Sequence, residues 1–241
     1  MISYELFTDK GSRENNEDFM GMASDGAGYF FAVADGLGGH DMGEVASQLV
    51  VESTMQSFYN RENDDFLAPA VVQAQEKLLQ RQKKEHAFGK MKTTYTGLYL
   101  WGNQARWIHV GDSRVYYFDR HRVKKRTLDH SVPQMLASSG QIREKDIRNH
   151  PDRNRLLYSM GTEWEDPQYD LGTSITLKKH RQAFLLCSDG FWELITEKEM
   201  SKCLKDAQTV GEWMQAMATI VRERGQDTEM DNFTAIAVFV E

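Results

Sequence analysis

Tyr29-Phe30-Phe31-Ala32-Val33-Ala34-Asp35-Gly36 and Phe184-Leu185-Leu186-Cys187-Ser188-Asp189-Gly190 are the two stretches on which the reading of this chain turns. Each is a β-prone apolar run that stops at an aspartate followed by a glycine. Short apolar runs bounded by Gly, Asp or Asn read as buried strands. Working outward, the same pattern marks Ser3–Phe7, Tyr95–Trp101, Arg106–Val110, Val115–Phe118 and Phe233–Val240, beside Tyr29–Ala34 and Ala183–Cys187. Several of these runs are separated only by short turns, which favours antiparallel pairing.

Helical periodicity occupies the remaining stretches. Val45, Leu49, Glu52, Met55 and Tyr59 mark a long helix after Gly43, with an incomplete apolar stripe. Pro69 suits the first turn of a second helix running through Val72, Leu78 and Leu79 to His86. Thr196-Glu197-Lys198-Glu199 is a capping box that opens a third. Val210, Trp213, Met214, Met217, Ile220 and Val221 form an amphipathic stripe that Gly225 would stop. The pattern predicts an α+β fold, an antiparallel β core with helices packed outside it. No Pro/Gly/Ser linker divides the 241 residues, so one domain over 1–241 is expected. Residues 131–170 differ: polar, Arg-rich and poor in strand character, they read as short helices leaving the core or as a surface loop.

Composition narrows the function. With 29 Lys plus Arg against 36 Asp plus Glu the net charge is −7, which argues against a general nucleic-acid binder. Two cysteines, Cys187 and Cys203, exclude a disulfide scaffold and a cysteine-rich zinc module and suit a reducing compartment. The opening MISYELFTDKGSRENNED holds no apolar signal core, and no apolar run approaches the roughly 18 residues of a membrane span. A soluble cytoplasmic protein is expected. Arg120, Arg122, Lys124, Lys125 and Arg126 read as a solvated hairpin, or else as a positive rim that draws acidic partners.

The chemistry lies where the strands stop. Asp35-Gly36 and Asp189-Gly190 end their runs; Trp107-Ile108-His109-Val110 runs into Gly111-Asp112; Asp231-Asn232 immediately precedes the last strand; Asn16-Glu17-Asp18 precedes another apolar stretch. An aspartate at the mouth of a buried strand must be paired, hydrogen-bonded or metal-bound. A single Asp-Gly pair also reads as a hairpin turn. Five such sites shift the weight, because carboxylates crowded on one rim repel unless a cation holds them. Oxygen-only donors indicate Mg2+ or Mn2+ rather than Zn2+. Cys187, inside Phe184-Leu185-Leu186-Cys187, reads as a buried strand residue rather than a nucleophile.

Arg13-x-x-Asn16-Glu17-Asp18, Ala34-Asp35-Gly36-Leu37-Gly38-Gly39-His40, Thr93-Thr94, Gly111-Asp112-Ser113-Arg114, Asp129-His130-Ser131, Ser188-Asp189-Gly190 and Asp231-Asn232-x-Thr234 occur in this order. The ordered set resembles the metal-dependent protein phosphatases, the type 2C serine/threonine phosphatases, in their compact bacterial form. The resemblance implies an α-β-β-α sandwich of two antiparallel sheets flanked by helices, with 131–170 as a mobile flap. It implies two Mg2+ or Mn2+ ions and a third, weaker one. Asp35 would bridge two ions and the Gly36 carbonyl would bind one. Asp189 and Asp231 would complete the first ion's ligands, Glu17 and Asp18 would flank the second, and Asp112 would help hold the third. Arg13 would grip the phosphate, with Arg13, Asp35 and Asp189 as the catalytic group, and Thr94 and Asp129-His130-Ser131 would support the site. Animal members place a His general acid directly after Asp-Gly. Here that position is Leu37, as in many bacterial members, and a metal-held water is the alternative donor.

The implied activity is hydrolysis of phosphoserine and phosphothreonine on proteins, by a water or hydroxide that the ions hold and activate. The implied partners are phosphorylated proteins and a bacterial Ser/Thr kinase acting in the opposite direction. A monomer is expected, with neither nucleic acid nor a membrane span. Two other readings stand beside this one: a catalytically weak sensing member of the same fold, and another binuclear-metal phosphoester hydrolase.

Overall fold

Strand β3, Gly28–Leu37, sends alternate side chains to opposite faces, and both faces are covered. Phe31 and Val33 pack towards a second sheet, while Phe30, Ala32 and Ala34 pack towards helices. That double burial is why the strand reads as a continuous apolar run rather than an alternation. In this computed structural model, which describes residues 1–38 and 42–241, the same arrangement recurs through two sheets whose strands all pair antiparallel. Gly39 and His40 of the sequence motif lie outside the described residues.

The first sheet runs in the order β1 (Ile2–Asp9), β12 (Phe233–Val240), β11 (Gln182–Cys187), β7 (Arg114–Asp119) and β8 (Arg122–Arg126). The second runs β10 (Ile175–Thr176), β6 (Gln104–Val110), β5 (Tyr95–Trp101), β3 and β2 (Asp18–Ser24). Two short strands join its margins: β4 (Lys92–Thr93) on β3 and β9 (Asp170–Leu171) on β6. Between the sheets lie Phe31, Val33, Leu98, Val115, Phe184, Leu186 and Ile236.

Helices α1 (Gly43–Tyr59) and α2 (Leu67–Lys84) cover the second sheet. The buried face of α1 is offset from the predicted stripe: Ala46, Val50, Val51 and Phe58 are buried, Val45, Leu49 and Met55 are half-buried, and Glu52 and Tyr59 are exposed, because small polar residues share the face that meets the sheet. Ser47, Ser53 and Thr54 are buried there, and Thr54 returns its hydroxyl to the Val50 and Val51 carbonyls. Helices α5 (Glu197–Asp206) and α6 (Val210–Gly225) cover the first sheet. The Thr196–Glu199 capping box opens α5, as the spacing predicts, and Thr209 caps α6. The result is the expected α-β-β-α order. Each apolar face meets a neighbour of matching period.

Two elements escape the sequence reading. Strand β2, the apolar stretch after Asn16-Glu17-Asp18, does not read as a strand because Gly21 interrupts it between two methionines, and Gly21 lies under Val51 and Met55 of α1. Helix α4, Asp189–Trp192, is one turn long, too short to show periodicity. Residues 131–170 contain α3 (Val132–Ser138), capped by Ser131, and a 3-10 helix, Glu144–Asn149. The segment returns to the core through bridges Ser131–Leu156 and Thr93–Met160.

Two arginines depart from the solvated reading of their segments. Arg126, at the end of the β7–β8 hairpin, is largely buried and reaches Gln134 and Glu144. Arg148 has a side chain 14% exposed. It donates to the Trp192 and Ile195 carbonyls and to Glu197, fastening the 3-10 helix to α4 and α5.

Candidate active site

The strand ends meet at one edge of the sandwich, around a cleft of about 630 Å³. Asp35 comes from β3, Asp112 from the turn between β6 and β7, Asp189 from the start of α4, and Asp231 from the approach to β12; all four line the cleft, with Arg13, Glu17 and Gly36. Asp18 lies behind them. It is the register partner of Asp35 across the β2–β3 pair, so the two side chains share a face.

The backbone around each carboxylate is fixed locally. The Asp35 N–H donates to Thr94 Oγ1 at 3.0 Å, and its carbonyl accepts from the Thr94 N–H and from Thr93 Oγ1, each at 2.8 Å. Thr94 and Ser113 hydroxyls meet at 2.7 Å, tying β3 to the Asp112 turn. Trp192 Nε1 donates to the Asp112 carbonyl at 2.9 Å.

The two Asp-Gly glycines do not close hairpins. Gly36 lies within β3, and a Cβ there would stand 2.4 Å from the Gly43 backbone. Gly190 lies in α4, where a Cβ would stand 2.1 Å from the Asn232 carbonyl oxygen. Each glycine therefore lets a second backbone segment close against its aspartate. Asn232 is a positioning residue that the sequence reading left without a role. Its amide donates to the Lys10 and Asn15 carbonyls, and its Oδ1 accepts from the Glu17 N–H at 2.8 Å. The only sequence trace of this is its place in Asp231-Asn232-x-Thr234.

The carboxylates are held against their chemistry. Burial, then the Asp18, Asp189 and Asp112 charges, lift Asp35 well above the ordinary carboxylate range. Burial, then Asp189, does the same to Asp112. Burial pushes Asp18 up to about 7, although the Ser188 and Thr234 hydroxyls restrain the shift. Asp189 is raised by burial and by Asp231, and it shares a hydrogen bond with Asp35. Asp18 Oδ2 accepts from Ser188 Oγ at 2.8 Å, while its buried Oδ1 has no hydrogen-bond partner. Glu193, beside Asp189, is pushed up to about 7 by burial. Arg13 Nη2 meets Asp231 Oδ2 at 2.9 Å, half-exposed at the mouth.

The donor set is entirely oxygen, acidic and poorly hydrated, which fits hard divalent cations. Without a cation the crowded carboxylates can lower their mutual repulsion only by taking up protons.

A second cluster lies outside the cleft. His109 and His130 stack at 4.5 Å between ring centroids, and His130 Nε2 lies 3.4 Å from Asp170 Oδ2. Sequence reasoning gave His109 no role, because its neighbours come from positions 21 and 61 residues away. The Cys187 thiol is fully buried and pushed up by that burial, as befits a strand residue.

Arg153, on the return from the 3-10 helix, meets Glu193 at 3.2 Å on the cleft's flank, while Arg143 pairs with Asp146 in its own turn.

The sequence pattern of the protein phosphatase 2C family matches residues 10–234. The chain is 30% identical to the serine/threonine phosphatase stp of Listeria monocytogenes over 243 aligned positions, covering 97% of this chain and 94% of that protein. A serine/threonine phosphatase from Staphylococcus aureus superposes with a TM-score of 0.90 at 26% identity, over 100% of this chain and 96% of that one. The catalytic domain of the serine/threonine protein phosphatase PstP, in complex with two manganese ions, superposes with a TM-score of 0.82 at 26% identity, over 100% and 99%. On a pattern that spans all but the two ends of the sequence, the chain belongs to the protein phosphatase 2C family.

Proposed function

We propose that this chain hydrolyses phosphoserine and phosphothreonine on proteins at the carboxylate cleft. As a member of its family it is a serine/threonine protein phosphatase, a phosphoric monoester hydrolase. The observation that carries the site assignment is the convergence of Asp35, Asp112, Asp189 and Asp231 on one cleft with their charges unbalanced.

Asp35 and the Gly36 carbonyl, with Asp189 and Asp231, would hold one divalent ion, with Asp35 shared with a second beside Glu17 and Asp18. Asp112 would help hold a third. Mg2+ and Mn2+ both suit these donors, and such ions keep part of their water shell, which a set spread along a cleft permits. When bound, such ions activate water and neutralise charge on the phosphoryl oxygens.

The protein's own groups do the rest. The Thr93–Thr94 bonds and the Asn232 bonds hold Asp35 and Glu17 in place, and Ser188 orients Asp18. Arg13 stands at the mouth on Asp231. If a cation balanced Asp231, the Arg13 guanidinium would be free to take two phosphoryl oxygens at once, which a lysine cannot do. Leu37 at the cleft wall offers no proton, and a water held by the ions would be the alternative donor to the leaving group.

The substrates are phosphorylated proteins, opposed by a Ser/Thr kinase. We place the protein in the cytoplasm as a monomer, with 131–170 as a flap beside the cleft. No described helix is long and apolar enough to cross a membrane. The test is hydrolysis of a phosphoserine peptide with Mn2+ and with EDTA. Turnover that needs Mn2+ supports the reading. A protein inert under both conditions would instead be a sensing member of the fold, and preference for a phosphodiester would make it another class of hydrolase.

A further inference from the structure

The His109–His130–Asp170 cluster has different chemistry from the cleft. One donor atom from each residue lies within 4.8 Å of the others. His109 is buried in β6, and His130 lies between β8 and α3. Asp170 sits on the two-residue strand β9 as the register partner of His109, at the sheet margin and exposed.

The ring nitrogens are already sorted. His109 Nε2 lies 2.8 Å from the Leu128 carbonyl and donates to it, which leaves Nδ1 as a lone pair. That Nδ1 is buried without a hydrogen-bond partner. Thr96, opposite His109 on β5, likewise buries Oγ1 without one. A metal-ligating imidazole is commonly oriented by donating its other N–H to a backbone carbonyl, as His109 does. His130 Nδ1 accepts from the Gly111 N–H at 3.2 Å, so Nε2 faces Asp170.

We propose that His109, His130 and Asp170 form a cation site of a second kind, for a borderline transition-metal ion such as Zn2+, separate from the carboxylate cleft. Two imidazoles and one carboxylate suit Zn2+ far better than Mg2+. Zinc ligands stand about 2.0–2.2 Å from the ion. The three donors must therefore draw closer: the stacked rings must tilt so that their in-plane lone pairs converge, and Asp170 on its short marginal strand follows. Neutral His130 keeps its single proton, which passes from Nε2 to Nδ1 as Nε2 takes the ion. The Gly111 N–H contact is then given up.

The experiment loads Mg2+-saturated protein with Zn2+ and counts bound zinc in the wild type and in Asp170→Ala. Long-range 1H–15N spectra follow the histidine ring nitrogens in parallel. Zn2+ also enters carboxylate sites, so the difference between the proteins is the readout. The expected result is one zinc more in the wild type at low micromolar free Zn2+, together with a shift of the His109 Nδ1 and His130 Nε2 resonances. Asp170→Ala should weaken that ion by at least about tenfold. It leaves the fold intact because its side chain is exposed. Equal zinc counts, or a His109 Nδ1 resonance that Zn2+ does not move, would overturn the proposal.

Discussion

Two clusters of buried charge lie side by side in this protein, and their balance is opposite. Around Arg114 the charges are matched. Its guanidinium makes a bidentate pair with Asp129 at 2.7 and 2.6 Å, donates to the Tyr116 hydroxyl at 2.9 Å, and stacks 3.3 Å over the Trp192 ring. Arg126, Arg148 and Glu197 complete the set. In the cleft, Asp18, Asp35, Asp112 and Asp189 crowd together, and among the described residues no buried cationic side chain stands with them. Trp192 joins the two clusters, carrying Arg114 on its face and giving its N–H to the Asp112 carbonyl. A matched buried cluster is structural, since each charge has a partner in the folded chain. The unmatched one lowers stability unless something outside the chain supplies the positive charge.

The comparison predicts opposite responses to the same kind of substitution. The largest effect is on activity. Asp35→Asn or Asp189→Asn should lower kcat by about 1,000-fold or more on a phosphopeptide in Mn2+. Retained turnover by either purified variant would remove the cleft from the mechanism.

Next is stability on the matched side. Asp129→Ala leaves Arg114 buried and unbalanced and should cost about 3–5 kcal/mol in urea unfolding, with or without metal. A loss below 1 kcal/mol, on the order of a surface pair, would mean the two clusters do not differ as described.

The pH dependence sharpens the contrast. Asp18 and Asp35 have native pKa values raised above their unfolded ones. Such groups bind more protons when folded, so the stability they contribute is full below the unfolded pKa and falls as pH rises through the native value. Metal-free protein should therefore lose melting temperature between roughly pH 4 and 7, the interval from an ordinary Asp to the native Asp18 value of about 7. Asp18→Asn should flatten part of that slope. A metal-free wild type that grows more stable over the interval would contradict the shift.

Smaller is the effect of Arg13→Ala, about 10- to 100-fold in kcat/KM, the range of one charge-assisted contact, with Mn2+ affinity unchanged. A wild-type kcat/KM would reject its role on the phosphate. Smallest is Arg153→Ala. Its side chain is 44% exposed and meets Glu193 on the cleft's flank. Hydrolysis of a phosphoprotein should slow by no more than about fivefold, the equivalent of about 1 kcal/mol, and p-nitrophenyl phosphate turnover should not change. Equal loss on both substrates would place Arg153 in support of the cleft. Arg148 cannot serve in that test, because it fastens α4 and α5.

What was legible in the sequence follows the same division. Strands buried on both faces announce themselves as apolar runs, and the aspartates at their ends are visible because almost no other charged residue interrupts those runs. The Thr196–Glu199 capping box and Gly225 are local signals and could be read locally. Arg126 and Arg148 look like solvated cations because their partners, Glu144 and Glu197, are distant in sequence. His109 was silent for the same reason. The glycines were legible as glycines, but the backbone each admits, Gly43 or Asn232, belongs to another part of the chain.

The most direct measurement is the melting temperature of wild type and Asp35→Asn at neutral pH, first in EDTA and then through a Mn2+ titration. The account predicts that the variant melts at or above the wild type in EDTA, since a repelling charge is gone, and that Mn2+ raises the wild type well above the variant. A variant that melts lower in EDTA, or a wild type that Mn2+ does not stabilise, would contradict the claim that the cleft's unmatched carboxylates are there to hold metal.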